Sequence, residues 1–98
     1  MLIYVYDGSF EGILTAIFEA FYRKEEPDAI LSENGLQYDL TASYSFIVTD
    51  PAKSDRVYAS IRHNISEDAL KNVYHAFLSE EHDAATLIYR YLKMGWKM

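Results

Sequence analysis

The sequence predicts an α+β fold: a small sheet of three to four strands with the first helix packed on it, then three short antiparallel helices. Three observations carry this. A β-branched and aromatic run opens the chain, a run at helical period follows at once, and the second half holds three apolar stripes spaced by three and four. Ninety-eight residues, half of them apolar, suit one domain spanning 1–98. A chain of this size buries roughly 65% of its unfolded surface, enough for a core without covalent staples.

Residues Leu2 to Tyr6 lack polar alternation, which predicts a strand covered on both faces. Asp7-Gly8-Ser9 follows as a turn, with Ser9 placed to cap the first helix. Phe10, Ile13, Leu14, Ile17, Phe18 and Phe21 give that helix one broad apolar face. Glu11 near its start and Arg23 and Lys24 near its end complement the macrodipole, and Pro27 stops it. Asn34-Gly35 is a turn signal. Leu36, Tyr38 and Leu40 alternate with polar residues as a half-exposed strand, and Ala29 to Ser32 is its expected hairpin partner. Tyr44 to Thr49 reads as a further strand.

Asp50-Pro51 opens the second helix, with Val57, Tyr58, Ile61 and Ile65 inward and Asn64 as a left-handed end. Ser66 caps the third, whose inner face is Ala69, Leu70, Val73, Tyr74, Phe77 and Leu78. After the acidic connection Ser79-Glu80-Glu81-His82, the fourth buries Ala84, Leu87, Ile88, Tyr91 and Leu92, with Gly95 as its stop. Short connections between the last three imply antiparallel neighbours.

The chain has no cysteine. Disulfides, thiolate metal sites, cysteine nucleophiles and iron–sulfur clusters held by these residues are therefore excluded. A cysteine-free chain suits a reducing compartment, and Leu2–Tyr6, the longest apolar run, is too short to span a bilayer. The expected location is cytoplasmic, with no membrane partner. The net charge of −6 is unevenly placed: residues 1–49 hold eight acids against Arg23 and Lys24, whereas residues 50–98 hold seven acids and seven bases. A nucleic-acid binder normally carries a basic footprint, and here one is expected only locally, at the end.

Several segments, taken in order, carry a resemblance. They are Tyr4-Val5-Tyr6-Asp7-Gly8-Ser9-Phe10-Glu11-Gly12, then Phe18-Glu19-Ala20 with Arg23-Lys24 and Pro27-Asp28. Val48-Thr49-Asp50 with Lys53 and Arg56-Val57 follows, then Tyr74-His75-Ala76-Phe77-Leu78-Ser79-Glu80 and Leu87-Ile88-Tyr89-Arg90-Tyr91-Leu92. Together they resemble the N-terminal part of the bacterial probable DNA metabolism proteins, which carry a domain of unknown function. The resemblance implies a partner, because family members are usually paired with a radical-SAM protein of suspected DNA modification or repair. Some are fused to a uracil-DNA-glycosylase-like domain. It implies no catalytic residue. Family members continue well past the equivalent of Met98, so the chain is expected to be the front module of a longer protein.

No constellation in the sequence specifies a reaction, and no cofactor or metal is expected. Asp7-Gly8-Ser9 lacks the glycine spacing of a phosphate loop, and Asp7 would repel an anion, so a plain turn and cap is favoured. His63, His75 and His82 are twelve and seven apart, not the three or four of a helical metal site. Glu80-Glu81-His82-Asp83 lacks the alternating oxygens and central glycine of a calcium loop. Asp7, Glu11, Glu19 and Asp50 are candidate carboxylates only through their places at element ends or on a helix, where caps and exposed faces are the default.

Arg90, Lys93 and Lys97 with Tyr89, Tyr91 and Trp96 form a basic, aromatic tail. Charge with stacking rings suits a single strand or a flipped base. A helix end with dipole-complementing bases and one apolar tether is the favoured reading. Lys53, Arg56 and Arg62 on the second helix would extend the patch if the fold joins them. Three expectations follow: a non-catalytic module docking a partner such as the radical-SAM enzyme, a nucleic-acid accessory module using Arg90, Lys93, Lys97, Trp96, Lys53 and Arg56, or a fragment of an enzyme whose site lies mostly beyond residue 98.

Overall fold

The computed structural model describes residues 1–34, 36–79 and 83–97, with side chains except that of Lys97. Its order is β1 (Leu2–Tyr6), α1 (Phe10–Tyr22), β2 (Ala29–Ser32), β3 (Ser43–Phe46), α2 (Pro51–Ser60), a π-turn (Ile61–Ile65), α3 (Glu67–Leu78) and α4 (Ala84–Lys97). The α+β expectation holds. The strand pairing does not follow the expected hairpin. β1 is central, in the order β2-β1-β3, and both neighbours run parallel to it. Tyr4 stands beside Ile30 on one side and Ser45 on the other.

Parallel pairing explains why Leu36 to Leu40 form no strand despite their alternation. The chain leaves β2 at its carboxyl end and must return to the amino end of β3, so this stretch is the return path. Tyr38 on the way packs edge-on against Tyr44 at 4.9 Å, and the Asp39 N–H donates to the Tyr44 hydroxyl at 2.6 Å. Gly35 of the expected Asn34-Gly35 turn lies outside the described residues.

α1 starts as expected: the Ser9 hydroxyl accepts from the Gly12 N–H at 2.9 Å. Gly8 makes the preceding turn at φ 90, where a side chain would be strained. α1 stops before Pro27, because Lys24 turns left-handed at φ 55 and the Glu25 N–H reaches back to the Ala20 carbonyl at 2.9 Å. That is a Schellman end with lysine where glycine is usual. The Asp50 carboxylate caps α2 through the Ala52 N–H. Asn64 does not end α2 in the left-handed conformation. The helix widens instead, and the Ser66 N–H donates to the Ile61 carbonyl five residues back, at 3.0 Å. Ser66 then caps α3.

The core lies between the sheet and the helices, with Tyr4, Ile13, Leu14, Ile17, Ile30, Ile61, Val73, Ile88 and Leu92 buried. α4 is turned by one position from its expected face. Ala84, Ala85, Ile88, Tyr89 and Leu92 are buried, whereas Leu87 and Tyr91 are exposed. Thr86 decides the rotation: its hydroxyl accepts from the Ile30 N–H at 3.0 Å and donates to the Ile30 carbonyl at 3.2 Å. Gly95 does not stop α4, which runs on to Lys97. Phe21, Tyr58, Tyr74 and Leu78, expected inward, are also exposed. Each sits beside the buried stripe of its helix, so the apolar arc is wider than the part the core covers. No described helix is long and apolar enough to cross a membrane.

Candidate interaction site

The carboxyl end of an open parallel sheet, where strand order reverses, is the usual ligand crevice in such folds. Here it lies between β1 and β3, and it gathers Asp7, Ser9, Thr49 and Asp50. The polar groups of Asp7, Ser9 and Thr49 serve one another, whereas the Asp50 carboxylate caps α2. Asp7 Oδ1 accepts from the Ser9 N–H at 2.9 Å and the Ser9 hydroxyl at 2.6 Å, and Oδ2 accepts from the Thr49 hydroxyl at 2.8 Å. The Ser9 hydroxyl foremost, with the other donors, holds the Asp7 carboxyl below its ordinary value. Asp7 is thus a fixed anion that ties β1 to the approach of α2. A Cβ on Gly12 would meet Asp7 Oδ1 at 2.5 Å, so glycine lets α1 approach this close. Glu11 is exposed on α1.

Glu19 lies further along α1 and is buried between two cations. Its Oε1 accepts a short bond from Lys53 Nζ, and its Oε2 accepts from Arg23 Nε at 2.9 Å. The Lys53 hydrogen bond foremost, against the opposing effect of burial, holds the Glu19 carboxyl low. A depressed folded pKa stabilises the fold at pH above the unfolded value, 4.5, and that stabilisation is lost as pH falls through the folded value. Glu19→Gln is therefore expected to lower stability by about 1–2 kcal/mol at pH 7. It is also expected to flatten the loss of stability below pH 4.5. Urea melts from pH 7 to pH 3 check both.

The basic tail is not laid out as one open patch. Lys93 Nζ pairs with Glu26 at 2.6 Å and stands 5.8 Å from the centre of the Tyr89 ring. Arg90 is exposed, with Nη2 at 3.5 Å from the Asp28 carbonyl. Lys53 is held by Glu19 and stands 5.6 Å from the centre of the Phe18 ring. Arg62 pairs with Glu67 at 3.2 Å. The side chain of Lys97 lies outside those described. His63 and His75 are exposed, whereas Glu80, Glu81 and His82 fall outside the described residues. Among the described residues, no three of His, Asp or Glu gather as a metal cluster.

The structure does unite Trp96 with Arg56. Both line a groove of about 510 Å³ between α1, α2 and the end of α4, together with Phe18, Phe21, Tyr22, Val57 and Ser60. The Trp96 indole N–H donates to the Ser60 hydroxyl at 3.1 Å, and the indole meets Phe21 edge-on at 5.1 Å. Phe18 and Tyr22 stack at 5.9 Å. Tyr22 is 75% exposed and Phe21 48%. Sequence reasoning placed Phe21 in the core and missed Tyr22. The available signal was the surplus of apolar side chains on α1 beyond one core-facing stripe. A second concavity of about 580 Å³, lined by Phe10, Tyr58, Arg62, Leu70 and Tyr74 among others, opens between α1, α2 and α3.

No family, no curated protein and no solved structure matches this chain.

Proposed function

We propose that the chain is a non-catalytic interaction module of a DNA modification or repair system, docking a partner protein such as a radical-SAM enzyme. The groove floored by Phe21 and Trp96 carries this reading. Apolar aromatic pockets with a hydroxyl and one arginine at the rim are the form that protein hot spots take. Solvated rings at 75% and 48% exposure gain by being covered. The acidic first half supports a protein partner over phosphate. The link to DNA metabolism and to the radical-SAM partner rests on the resemblance of the sequence segments.

The test is co-purification of the chain with the radical-SAM protein of such a pair. Association at micromolar concentration is expected, and Tyr22→Asp is expected to weaken it at least ten-fold without unfolding the domain. No association at that concentration rejects the reading. Nucleic-acid binding is the second reading, favoured by Arg56 beside Trp96. It requires salt-sensitive binding to single-stranded DNA that falls in Arg56→Gln.

A further inference from the structure

The concavity between α1, α2 and α3 shares no residue with the Phe21–Trp96 groove. At about 580 Å³ it falls within the roughly 300–1,000 Å³ typical of small-molecule sites. Phe10 from the start of α1, Tyr58 from α2 and Tyr74 from α3 line it with Leu70. Phe10 meets Tyr74 edge-on at 5.3 Å, which holds that wall in place. None of these rings stands out as Tyr22 does in the other groove: Tyr58 is 44% exposed, Tyr74 47%, and Phe10 is half-buried. They are the sides of a recess, not a raised face for a partner to cap.

The polar part of this lining is cationic, on a chain whose net charge is −6. Arg62 enters from the π-turn, and Lys71 and His75 stand one turn apart on α3. Among the described residues of the lining, Glu67 alone is acidic. Glu67 pairs with Arg62 at 3.2 Å, but both members are exposed, so the pair is weak and open to competition by another anion. No described residue pairs with Lys71, and none hydrogen-bonds the His75 ring or the hydroxyls of Tyr58 and Tyr74. At the sheet end, by contrast, Asp7, Ser9 and Thr49 satisfy one another.

We propose that this recess binds a small planar ring that carries an anionic group, a carboxylate or a phosphate. The ring lies against Tyr58 and Tyr74, which offer aromatic faces and hydroxyl donors. The anion meets Lys71 and, in competition with Glu67, Arg62. Charge in the lining itself selects an anion, because Lys71 only donates and has no carboxylate within reach. The site fails or stands apart from the docking groove, since the two have no residue in common.

The experiment titrates the isotope-labelled full chain with adenosine monophosphate and with naphthoate, following backbone amide shifts. Adenosine, naphthamide and inorganic phosphate are titrated beside them. At least one of the two anions is expected to bind with a submillimolar dissociation constant and to shift amides of α3 and the π-turn. It is expected to bind at least ten-fold more tightly than its uncharged counterpart or inorganic phosphate. The tighter of the two names the source of the anionic group. Lys71→Gln, at an exposed and unpaired position that folding does not need, is expected to weaken binding at least five-fold. Tyr22→Asp is expected to leave it unchanged. The proposal is overturned if neither anion binds below millimolar concentration, if an uncharged counterpart or inorganic phosphate binds as well, or if Lys71→Gln has no effect. Shifts centred on the Phe21–Trp96 groove overturn it too. So does a dimer of the chain that Lys71→Gln abolishes, because a second copy then fills the recess.

Discussion

Ile61→Ala is expected to lower stability by about 3 kcal/mol, with a melting point on the order of 12–24 °C lower. Ile61 is fully buried at the first position of the π-turn, where α2 hands over to α3, and that turn also packs on α4. Truncation there opens a void in the core cluster, beside a turn that packs on α2, α3 and α4. A loss that large is a substantial part of the roughly 5–15 kcal/mol that holds a domain of this kind. Thermal and urea unfolding followed by circular dichroism measure it. A loss below about 1 kcal/mol would mean that the three helices do not close on this residue.

Thr86→Val is expected to cost about 2 kcal/mol. Valine keeps the shape and removes the one hydroxyl that serves Ile30. The Ile30 N–H and carbonyl are then buried beneath α4 without partners, and an unpaired buried polar group costs more than the bond it replaces was worth. Thr86→Ser is the control: it retains the hydroxyl, and its loss is expected to be less than half as large. Equal losses in the two variants would show that the methyl group, not the hydroxyl, secures α4 to β2. Paired urea melts decide between these outcomes.

These two residues also mark where the sequence is informative and where it is silent. Ile61 belongs to a local apolar stripe, so its burial follows from periodicity. Thr86 carries no sequence signal, since its role depends on β2, fifty-six residues away in the chain. Parallel pairing was hidden for the same reason. The alternation of Leu36, Tyr38 and Leu40 is genuine, but topology requires that stretch to return across the sheet rather than join it. α4 misled by one position because Ala84, Ala85 and Thr86 are all small enough to bury, which leaves the stripe ambiguous at its start. Lys24 ended α1 with a residue that seldom turns left-handed, three positions before the proline that was expected to do so.

The candidate site was legible in pieces. Trp96 and Arg56 were each visible as an aromatic and a base at helical positions. Their convergence was not, because it depends on the end of α4 meeting the end of α2, where Trp96 reaches Ser60. Lys53 and Lys93 looked like parts of a basic patch, and only the fold reveals Glu19 and Glu26 beside them. The carboxylates Asp7 and Asp50 both lie at the carboxyl end of the sheet but serve separate partners, Asp7 accepting from Ser9 and Thr49 and Asp50 capping α2 through the Ala52 N–H.

The central claim is that the Phe21–Trp96 groove docks a protein partner. Its most direct test is a calorimetric titration of the chain with the proposed partner, a radical-SAM protein, run in parallel with Tyr22→Asp and with Tyr91→Asp, an exposed tyrosine on α4 outside the groove. Micromolar binding is expected, weakened at least ten-fold in Tyr22→Asp and unchanged in Tyr91→Asp. Binding that is unchanged in Tyr22→Asp, or absent in the unaltered chain, would contradict it.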